Sequence, residues 1–217
     1  MFVVVDGLEN LGEKDLLFFM PYLNKQRTEK VESLRFLPDK IASACVFTLL
    51  RCMLETAGVS DCEFGFSETS KPYLFSRGDV FFSLSHDRKG VCACVSDREV
   101  GADIQELFSY EKALAERILS SKELPCFDNG VDKDRLLTRM WTLKESYSKM
   151  TGEGLAAIQN TDFSGATENC FTIGDLTYVA GEKGDLFYAV CSTKKEKVEF
   201  WSTDELKSRI KKLPKYF

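Results

Sequence analysis

One strand-like stretch of this sequence carries side chains that could hold a metal ion. In VGADIQEL, residues 100–107, Asp103 and Gln105 are two positions apart, so in a strand both side chains leave the same face. An acid within an apolar strand is costly to bury unless it is paired or binds a metal. Mg²⁺ prefers such oxygen donors together with water and substrate phosphate. Taken alone, an edge strand whose Asp faces water is the simpler interpretation.

A second stretch, RMWTLKESYSKMTGEGL at 139–155, could bind a diphosphate. On a helix, Trp141, Glu145 and Lys149 are spaced i, i+4 and i+8 and share one face. Lys144 lies about 100° further round the helix. The glycines that follow allow a backbone to approach a ligand closely. A carboxylate flanked by two lysines matches a Mg²⁺–diphosphate substrate, whereas the simpler interpretation is a surface Glu–Lys pair beside a buried Trp.

The third stretch, SLSHDRKG at 83–90, contains His86, the one histidine of the chain. Histidine changes charge near neutral pH, so a general acid or base is the first hypothesis. Ser85 and Asp87 flank it after a strand-like run, and a polar turn is the simpler interpretation. No second histidine or CxxC motif accompanies it, so we expect His86 to hold a ligand rather than to catalyse.

The elements that must position these residues alternate between strands and helices, which predicts an α+β fold. Residues 2–6 and 62–66 are strand-like, and apolar spacing predicts helices over 13–23 and Pro38–Glu55. Three β-like runs, 79–85, 90–96 and 99–105, have short polar connectors that favour an antiparallel meander. Further helices are predicted over 109–119, 132–151 and TDELKSRIKKL, with four strands, NCFTI, LTYVAG, DLFYAVC and KVEFWS, before the last.

Composition narrows the class of protein. The chain has 217 residues, of which 44% are hydrophobic and 29% charged, as in globular proteins. No apolar run approaches the roughly 18 residues of a membrane helix. The net charge of −5 disfavours a nucleic-acid surface. Eight cysteines, mostly in apolar runs and without a CxxC motif, indicate reduced core thiols in the cytoplasm and disfavour structural zinc.

Taken in order, the three stretches resemble the motifs of the surfactin-synthetase-activating (Sfp-type) 4′-phosphopantetheinyl transferases. The corresponding residues are Ser85-His86, Val100-Gly101-Ala102-Asp103-Ile104-Gln105, and Trp141-x-x-Lys144-Glu145-x-x-x-Lys149-x-x-Gly152-x-Gly154-Leu155. Lys71-Pro72 is similar to the family's GKP motif, with Ser70 in place of glycine. Arg27-x-x-Lys30 and the helix PDKIASACVFTLLR resemble its N-terminal region. The resemblance covers about residues 25–160.

This resemblance implies a reaction and a fold. The 4′-phosphopantetheine arm of coenzyme A passes to a serine of an apo acyl or peptidyl carrier protein, releasing adenosine 3′,5′-bisphosphate with Mg²⁺ as cofactor. Two similar α+β halves related by a pseudo-two-fold axis would hold coenzyme A between them. We expect an N-terminal half over 1–100 that binds its phosphates and a C-terminal half over 101–217 with the metal and catalytic residues. A cytoplasmic monomer without nucleic-acid or membrane partners is expected.

The resemblance also implies residue roles. Metal ligands would be Asp103, Glu145 and Gln105, and the catalytic residues Glu145, Lys149 and Asp103. Glu145 would take the serine proton, either directly or through a metal-bound water. Coenzyme A would contact Arg27, Lys30, Lys40, Lys71, Pro72, Ser85, His86, Lys144 and Lys149. Of these, His86, Arg27 and Lys30 are expected at the 3′-phosphate, and Lys71 and Pro72 beside the adenine. Glu123 resembles a family acid between two helices.

Gln105 departs from the family pattern, since many members have glutamate there. Its carbonyl oxygen can still face a metal but brings no charge, so we expect weaker Mg²⁺ affinity. The departure leaves an alternative open, a non-catalytic protein that binds coenzyme A or carrier proteins. A third hypothesis, an unrelated Mg²⁺ phosphotransferase or nuclease, is disfavoured by the acidic charge and the absence of a phosphate-binding GxxxxGK[ST] loop.

Overall fold

The computed structural model describes residues 1–60, 63–67, 71–75, 77–127, 132–154, 158 and 161–216. Cys62, Ser70 and Leu155 of the stretches above lie outside the described residues. The strands are β1 (Phe2–Asp6), β2 (Phe64–Phe66), β3 (Pro72–Leu74), β4 (Phe81–His86), β5 (Gly90–Ser96), β6 (Val100–Glu106), β7 (Cys170–Ile173), β8 (Leu176–Lys183), β9 (Leu186–Ser192) and β10 (Val198–Trp201). The helices are α1 (Glu13–Phe19), α2 (Lys25–Ser33), α3 (Leu37–Thr56), α4 (Lys112–Ile118), α5 (Lys133–Thr151) and α6 (Thr203–Ile210). None of these helices is long and apolar enough to span a membrane.

Two four-stranded sheets organise the molecule. The first has the order β10-β1-β5-β4, with β1 and β10 parallel, and the second has the order β6-β9-β8-β7, antiparallel throughout. A hairpin, β2-β3, forms a separate two-stranded sheet that is not hydrogen-bonded to either. Helices α1, α2, α3 and α6 pack on the first sheet or on each other, while α5 packs on the second. This is the α+β class that the sequence predicts.

The apolar core lies in three layers. Val3, Val91 and Ala93 face α3, while their neighbours Phe2 and Cys92 face the second sheet. This alternation explains why β1 and β5 are almost continuously apolar, since both of their faces are buried. Cys94 is buried on the same face as Cys92, as predicted. The second sheet is covered on its other face by α5, around Leu137, Met140 and Leu143.

The predicted helices and strands are present with ends shifted by a few residues, some shorter and some, such as α3 and β8, longer than predicted, whereas β3 was not predicted and two further segments differ. The helix expected over 13–23 ends at Phe19, and Pro21 lies in a single 3₁₀ turn, where its missing N–H is tolerated. The segment Lys25–Ser33, which the sequence left unassigned, is a helix capped by the Asn24 side chain.

The predicted meander of β4, β5 and β6 is wrong in its third strand. β4 and β5 pair antiparallel, but β6 pairs with β9. The reason is that β5 already lies between β1 and β4 and so has no free edge for β6. Side chains connect the sheets instead, since Ala102 donates its backbone N–H to Ser83 Oγ at 2.9 Å.

A close approach between β6 and α5 brings the two sequence motifs that these elements carry, 100–107 and 139–155, against each other. A Cβ built on Gly101 would lie 1.9 Å from the carbonyl oxygen of Ser146 and 2.3 Å from the backbone nitrogen of Met150. Both are backbone atoms of a helix and cannot move aside individually. Glycine at this position therefore sets how near the carboxylate of Asp103 comes to α5.

Replacing Gly101 with alanine should force β6 and α5 apart. We expect Gly101→Ala to lower the free energy of unfolding by roughly 3 kcal/mol or more, because overpacking here meets backbone rather than a flexible side chain. Urea unfolding followed by circular dichroism measures it. Gly165→Ala is the matched control, since a Cβ at Gly165 meets no atom within 4 Å. Equal stabilities of the two variants would contradict the close-packing argument.

Candidate active site

Helix α5 presents one polar side chain after another to the seam between the two sheets. Asp132 caps its start by accepting from the Arg135 N–H, and Gly152 ends it in the left-handed region, with φ 76°. Glu145 and Lys149, one turn apart, are half-buried and face β6. Trp141, one turn earlier, packs against the core of the second sheet. The shared face predicted from the spacing is therefore present.

Three elements meet at Asp103. Lys149 Nζ donates to Asp103 Oδ1 at 2.6 Å and to Ser85 Oγ at 2.8 Å. Ser85 Oγ in turn donates to the same Oδ1 at 2.8 Å. Asp103 is only 4% exposed, so Lys149 and Ser85 compensate a carboxylate that would be costly to bury alone. The simpler interpretation is right that β6 is an edge strand, but wrong that Asp103 faces water, because the side chain lies inside the seam.

The surroundings of the seam raise the pKa values of both Glu145 and Lys149. Burial raises the pKa of Glu145, and the nearby Asp103 raises it further, against the opposing effect of Lys149. Among the described residues, Glu145 has no hydrogen-bond or ion-pair partner. Burial lowers the pKa of Lys149, but its attraction to Asp103 and their hydrogen bond leave that pKa above the ordinary value. Glu145 is therefore more basic than an ordinary glutamate and is free to accept a proton.

Gln105 lies on the same face of β6 as Asp103 and is half-buried. Its Nε2 donates to Asp87 Oδ2 at 2.7 Å. Sequence reasoning placed Asp87 only in a polar turn and gave it no role at the site. A short contact across 18 residues could not be foreseen, since it depends on how the β4–β5 turn meets β6.

A cavity of about 290 Å³ opens beside this seam and is lined by both cationic side chains and aromatic rings. Arg27 and Lys30 contribute positive charge, and His86 lines the same cavity. The apolar residues that also line the cavity are Phe47, Leu50, Phe64, Phe66, Pro72, Phe82 and Leu84, and the aromatic rings among them are called its aromatic wall. The aromatic wall was missed from the sequence, because its rings come from a helix, a hairpin and a strand that are distant along the chain.

The cations of this cavity crowd one another. Burial lowers the pKa of Lys30, and the charge of Arg27 lowers it further. Packing around the imidazole lowers the pKa of His86, although the side chain remains exposed at the cavity mouth, and the nearby cations, Lys30 first, add to this effect. Such mutual repulsion between positive charges is relieved by an anion, so the cavity is suited to bind phosphate.

A second cavity, of about 270 Å³, adjoins the first. Both are lined by Pro72, Phe82 and Leu84, and the second continues to Lys149 and Gly152. Together they form a cleft that runs from the cationic cavity to the seam carboxylates. A long ligand with an anionic group near each end fits this arrangement.

Lys144 does not reach this cleft, in contrast to its predicted contact with coenzyme A. Its side chain is fully buried, and Nζ lies 2.9 Å from Glu123 Oε2. Nζ also donates to the carbonyl oxygens of Ile158 and Thr161 at 2.7 and 2.6 Å. The reason is its position about 100° round the helix from Glu145, which points it into the core. Lys144 and Glu123 thus hold the segment that follows α5.

Two further predicted contacts of coenzyme A have protein partners in this structure. Lys40 Nζ donates to the carbonyl oxygen of Glu32 at 3.3 Å and does not line either cavity. Lys71 lines the second cavity, where its Nζ pairs with Glu99 and donates to the Met150 carbonyl oxygen at 2.7 Å. Lys71 therefore connects the β2–β3 hairpin to the end of α5.

Comparisons with known proteins identify relatives of this chain. Residues 99–196 match the 4′-phosphopantetheinyl transferase superfamily. A 4′-phosphopantetheinyl transferase of Bacillus pumilus is 27% identical over 150 residues, covering 67% of this chain and 64% of the relative. One of Bacillus subtilis is 29% identical over 162 residues, covering 71% and 70%. The L-aminoadipate-semialdehyde dehydrogenase-phosphopantetheinyl transferase of Saccharomyces cerevisiae is 32% identical over 141 residues, covering 58% and 50%. The chain thus spans about two thirds of the two bacterial relatives and half of the yeast one.

Removing Lys144 should destabilise the protein rather than weaken a ligand contact. We expect Lys144→Met to lower the free energy of unfolding by about 3 kcal/mol, because it leaves the buried Glu123 charge without its cation. Lys122→Met is the matched control, since Lys122 pairs with Asp162 at 3.6 Å on the surface and connects the same two segments. Chemical unfolding of both variants measures the difference. A Lys144→Met protein of wild-type stability would contradict the structural role.

Proposed function

We propose, because residues 99–196 match the 4′-phosphopantetheinyl transferase superfamily and the chain is similar to two bacterial 4′-phosphopantetheinyl transferases, that it transfers the 4′-phosphopantetheine arm of coenzyme A to a serine of an apo carrier protein. The observation that carries the proposal is the meeting of Ser85, Asp103 and Lys149, beside the unpartnered Glu145, at the end of a cationic cleft. The serine oxygen bonds to the phosphorus that carries pantetheine. The bond from that phosphorus to the bridging oxygen breaks, and adenosine 3′,5′-bisphosphate leaves.

Each seam residue has a task in this reaction. Glu145 accepts the proton of the attacking serine, for which its raised pKa makes it a better base than an ordinary glutamate. Lys149 neutralises charge that develops on the diphosphate oxygens as the bridging bond breaks. Asp103 and Ser85 hold the Lys149 ammonium in place before the substrate arrives. Orientation of the diphosphate by these groups lowers the entropic cost of the transfer.

The oxygen donors of the seam fit Mg²⁺. Asp103 is near enough to Glu145 to raise its pKa. Gln105 adds a carbonyl oxygen on the face of β6 that carries Asp103. No cluster of three or more His, Cys, Asp or Glu side chains suited to a metal occurs among the described residues. Mg²⁺ does not require such a cluster, because it is commonly bound by one or two carboxylates together with substrate phosphate. When bound, Mg²⁺ would supply positive charge to the diphosphate.

The cationic cavity is proposed to hold the adenosine end of coenzyme A. Arg27, Lys30 and His86 would face the 3′-phosphate, and the aromatic wall and Pro72 the adenine. Because the cleft is lined by residues from both predicted halves, 1–100 and 101–217, coenzyme A would lie between them. In addition, β10 is a strand of the first sheet and α6 packs on that sheet, although both belong to the second half of the chain. The internal pseudo-two-fold stays a prediction.

We also propose that the reaction takes place in the cytoplasm and requires a single copy of the chain. Seven cysteines of the described residues are free thiols, which suits a reducing compartment. Both sides of the cleft come from one chain, so a second copy is not needed to complete the site. The apo carrier protein would supply its serine at the open end of the cleft.

The activity can be tested by weighing the carrier protein. Incubation of an apo carrier with coenzyme A, Mg²⁺ and this protein should add the mass of one phosphopantetheine group. Glu145→Gln should abolish the gain while leaving the circular dichroism unchanged, because the general base is removed. Glu168→Gln, at an exposed position, is the control and should retain activity. No mass gain with any apo acyl or peptidyl carrier would contradict the proposed function and favour a binding protein.

The pH dependence of coenzyme A binding tests the place of His86. Its lowered pKa leaves the imidazole neutral at neutral pH, and a bound phosphate raises that pKa, so binding takes up a proton. The KM for coenzyme A should therefore rise with pH between the two pKa values, by a factor on the order of 10 per unit at most. His86→Ala should raise KM at low pH, flatten this rise and leave kcat nearly unchanged.

Dephospho-coenzyme A, which lacks the 3′-phosphate, separates this effect from others. With it, wild type and His86→Ala should share one KM profile. A His86→Ala protein whose kcat collapses at saturating coenzyme A would instead place the imidazole in the chemistry.

A further inference from the structure

The β4–β5 turn contributes a carboxylate to the seam that the proposed reaction does not use. Asp87 Oδ2 accepts from Gln105 Nε2 and from the backbone N–H of Glu106, each at 2.7 Å. The Asp87 backbone N–H donates to the Gly90 carbonyl oxygen at 2.8 Å, so the turn itself fixes the residue. Asp87 thus joins a turn of the first sheet to the last residues of β6.

The chemistry of this contact decides how the Gln105 amide is oriented. An ionised carboxylate has acceptors only, so Gln105 must present its NH₂ group to Asp87. The carbonyl oxygen Oε1 then points away from Asp87, and no described residue donates to it. Gln105 shares the face of β6 that carries Asp103, so the amide offers oxygen rather than nitrogen to the seam. Gln105 Nε2 also donates to the Glu106 carbonyl oxygen, but at 3.4 Å, so a neutral neighbour at position 87 would leave the orientation only weakly fixed.

We propose that Asp87 is a positioning residue that fixes the Gln105 carboxamide with its oxygen toward the metal and diphosphate. This rests on the proposed function. Asp87 compensates for the missing charge of the Gln105 amide, both by selecting the oxygen and by keeping a negative charge within 2.7 Å of the amide nitrogen. A glutamate at position 105 would bring two carboxylates into contact, so the two positions are expected to be coupled.

The contact itself can be tested without metal or turnover. In a ¹⁵N spectrum of the metal-free protein, the Gln105 side-chain NH₂ signals are identified by their loss in Gln105→Glu. We expect one of these protons to be shifted downfield and protected from solvent exchange, and to become an ordinary exposed amide in Asp87→Ala. Signals that are the same in both proteins would overturn the proposal.

The consequence for metal binding is tested by a double-mutant cycle. Mn²⁺ affinity for the complex of protein and coenzyme A, without a carrier, is measured from the free Mn²⁺ signal in electron paramagnetic resonance. Asp87→Asn keeps an acceptor for the Glu106 N–H but no longer selects the Gln105 orientation, so it should weaken Mn²⁺ binding several-fold. Gln105→Glu should change Mn²⁺ affinity less than about threefold alone and strengthen it about tenfold or more with Asp87→Asn, because the like-charge repulsion is gone.

Control variants and the carrier assay separate the outcomes. Asp97→Asn removes an exposed carboxylate that pairs with Lys194 in the β5–β6 connection and should leave Mn²⁺ affinity unchanged. Equal effects of Gln105→Glu in the two backgrounds would overturn the positioning role, as would a wild-type complex that binds no Mn²⁺. Neither result bears on whether wild type adds phosphopantetheine to a carrier, so failure of this inference is distinct from failure of the proposed function.

Discussion

The packing of β6 on α5 is the constraint on which the rest of the site depends. At Gly101 the two backbones are so close that no side chain fits between them. Only this separation allows an ammonium on α5 to reach a carboxylate on β6 at 2.6 Å while both are largely removed from water. At a helix–strand distance set by an alanine, Lys149 and Asp103 would be separated, and a lone buried carboxylate would be unfavourable.

The same contact explains why the second sheet is separate from the first. β5 is already flanked by β1 and β4, so β6 does not pair with it; β6 pairs with β9 and packs against α5. Ser83 and Ser85 of β4 then replace ladder hydrogen bonds by side-chain contacts to β6. The seam is therefore polar where the sheets meet beside α5 and apolar where Phe2, Cys92 and Ile104 pack between them.

Local patterns in the sequence were sufficient for most elements and for the face shared by Trp141, Glu145 and Lys149. They could not give the partner of β6, since a short polar connector is compatible with both a hairpin and a change of sheet. They also failed for Lys144, whose neighbour along the helix faces the seam while Lys144 itself faces the core. A lysine next to a site glutamate in the sequence is interpreted as a ligand contact unless its buried partner, here Glu123, is known. The cationic cavity was foreseen in its charges but not in its aromatic wall, which assembles rings from α3, the hairpin and β4.

The charges of the cleft divide into two groups that respond differently to an anion. Lys149 is already compensated by Asp103, so a diphosphate must compete with that carboxylate for the ammonium, and a divalent cation on Asp103 would ease the exchange. Arg27 lies over the Phe47 ring at 5.0 Å and, among the described residues, has no carboxylate partner, and it lowers the pKa of Lys30. Binding strength would therefore come mainly from the cavity, whose cations gain a counter-charge outright, whereas the seam exchanges one ion pair for another. A ligand would therefore be bound more tightly by its end in the cavity than by its end beside Lys149.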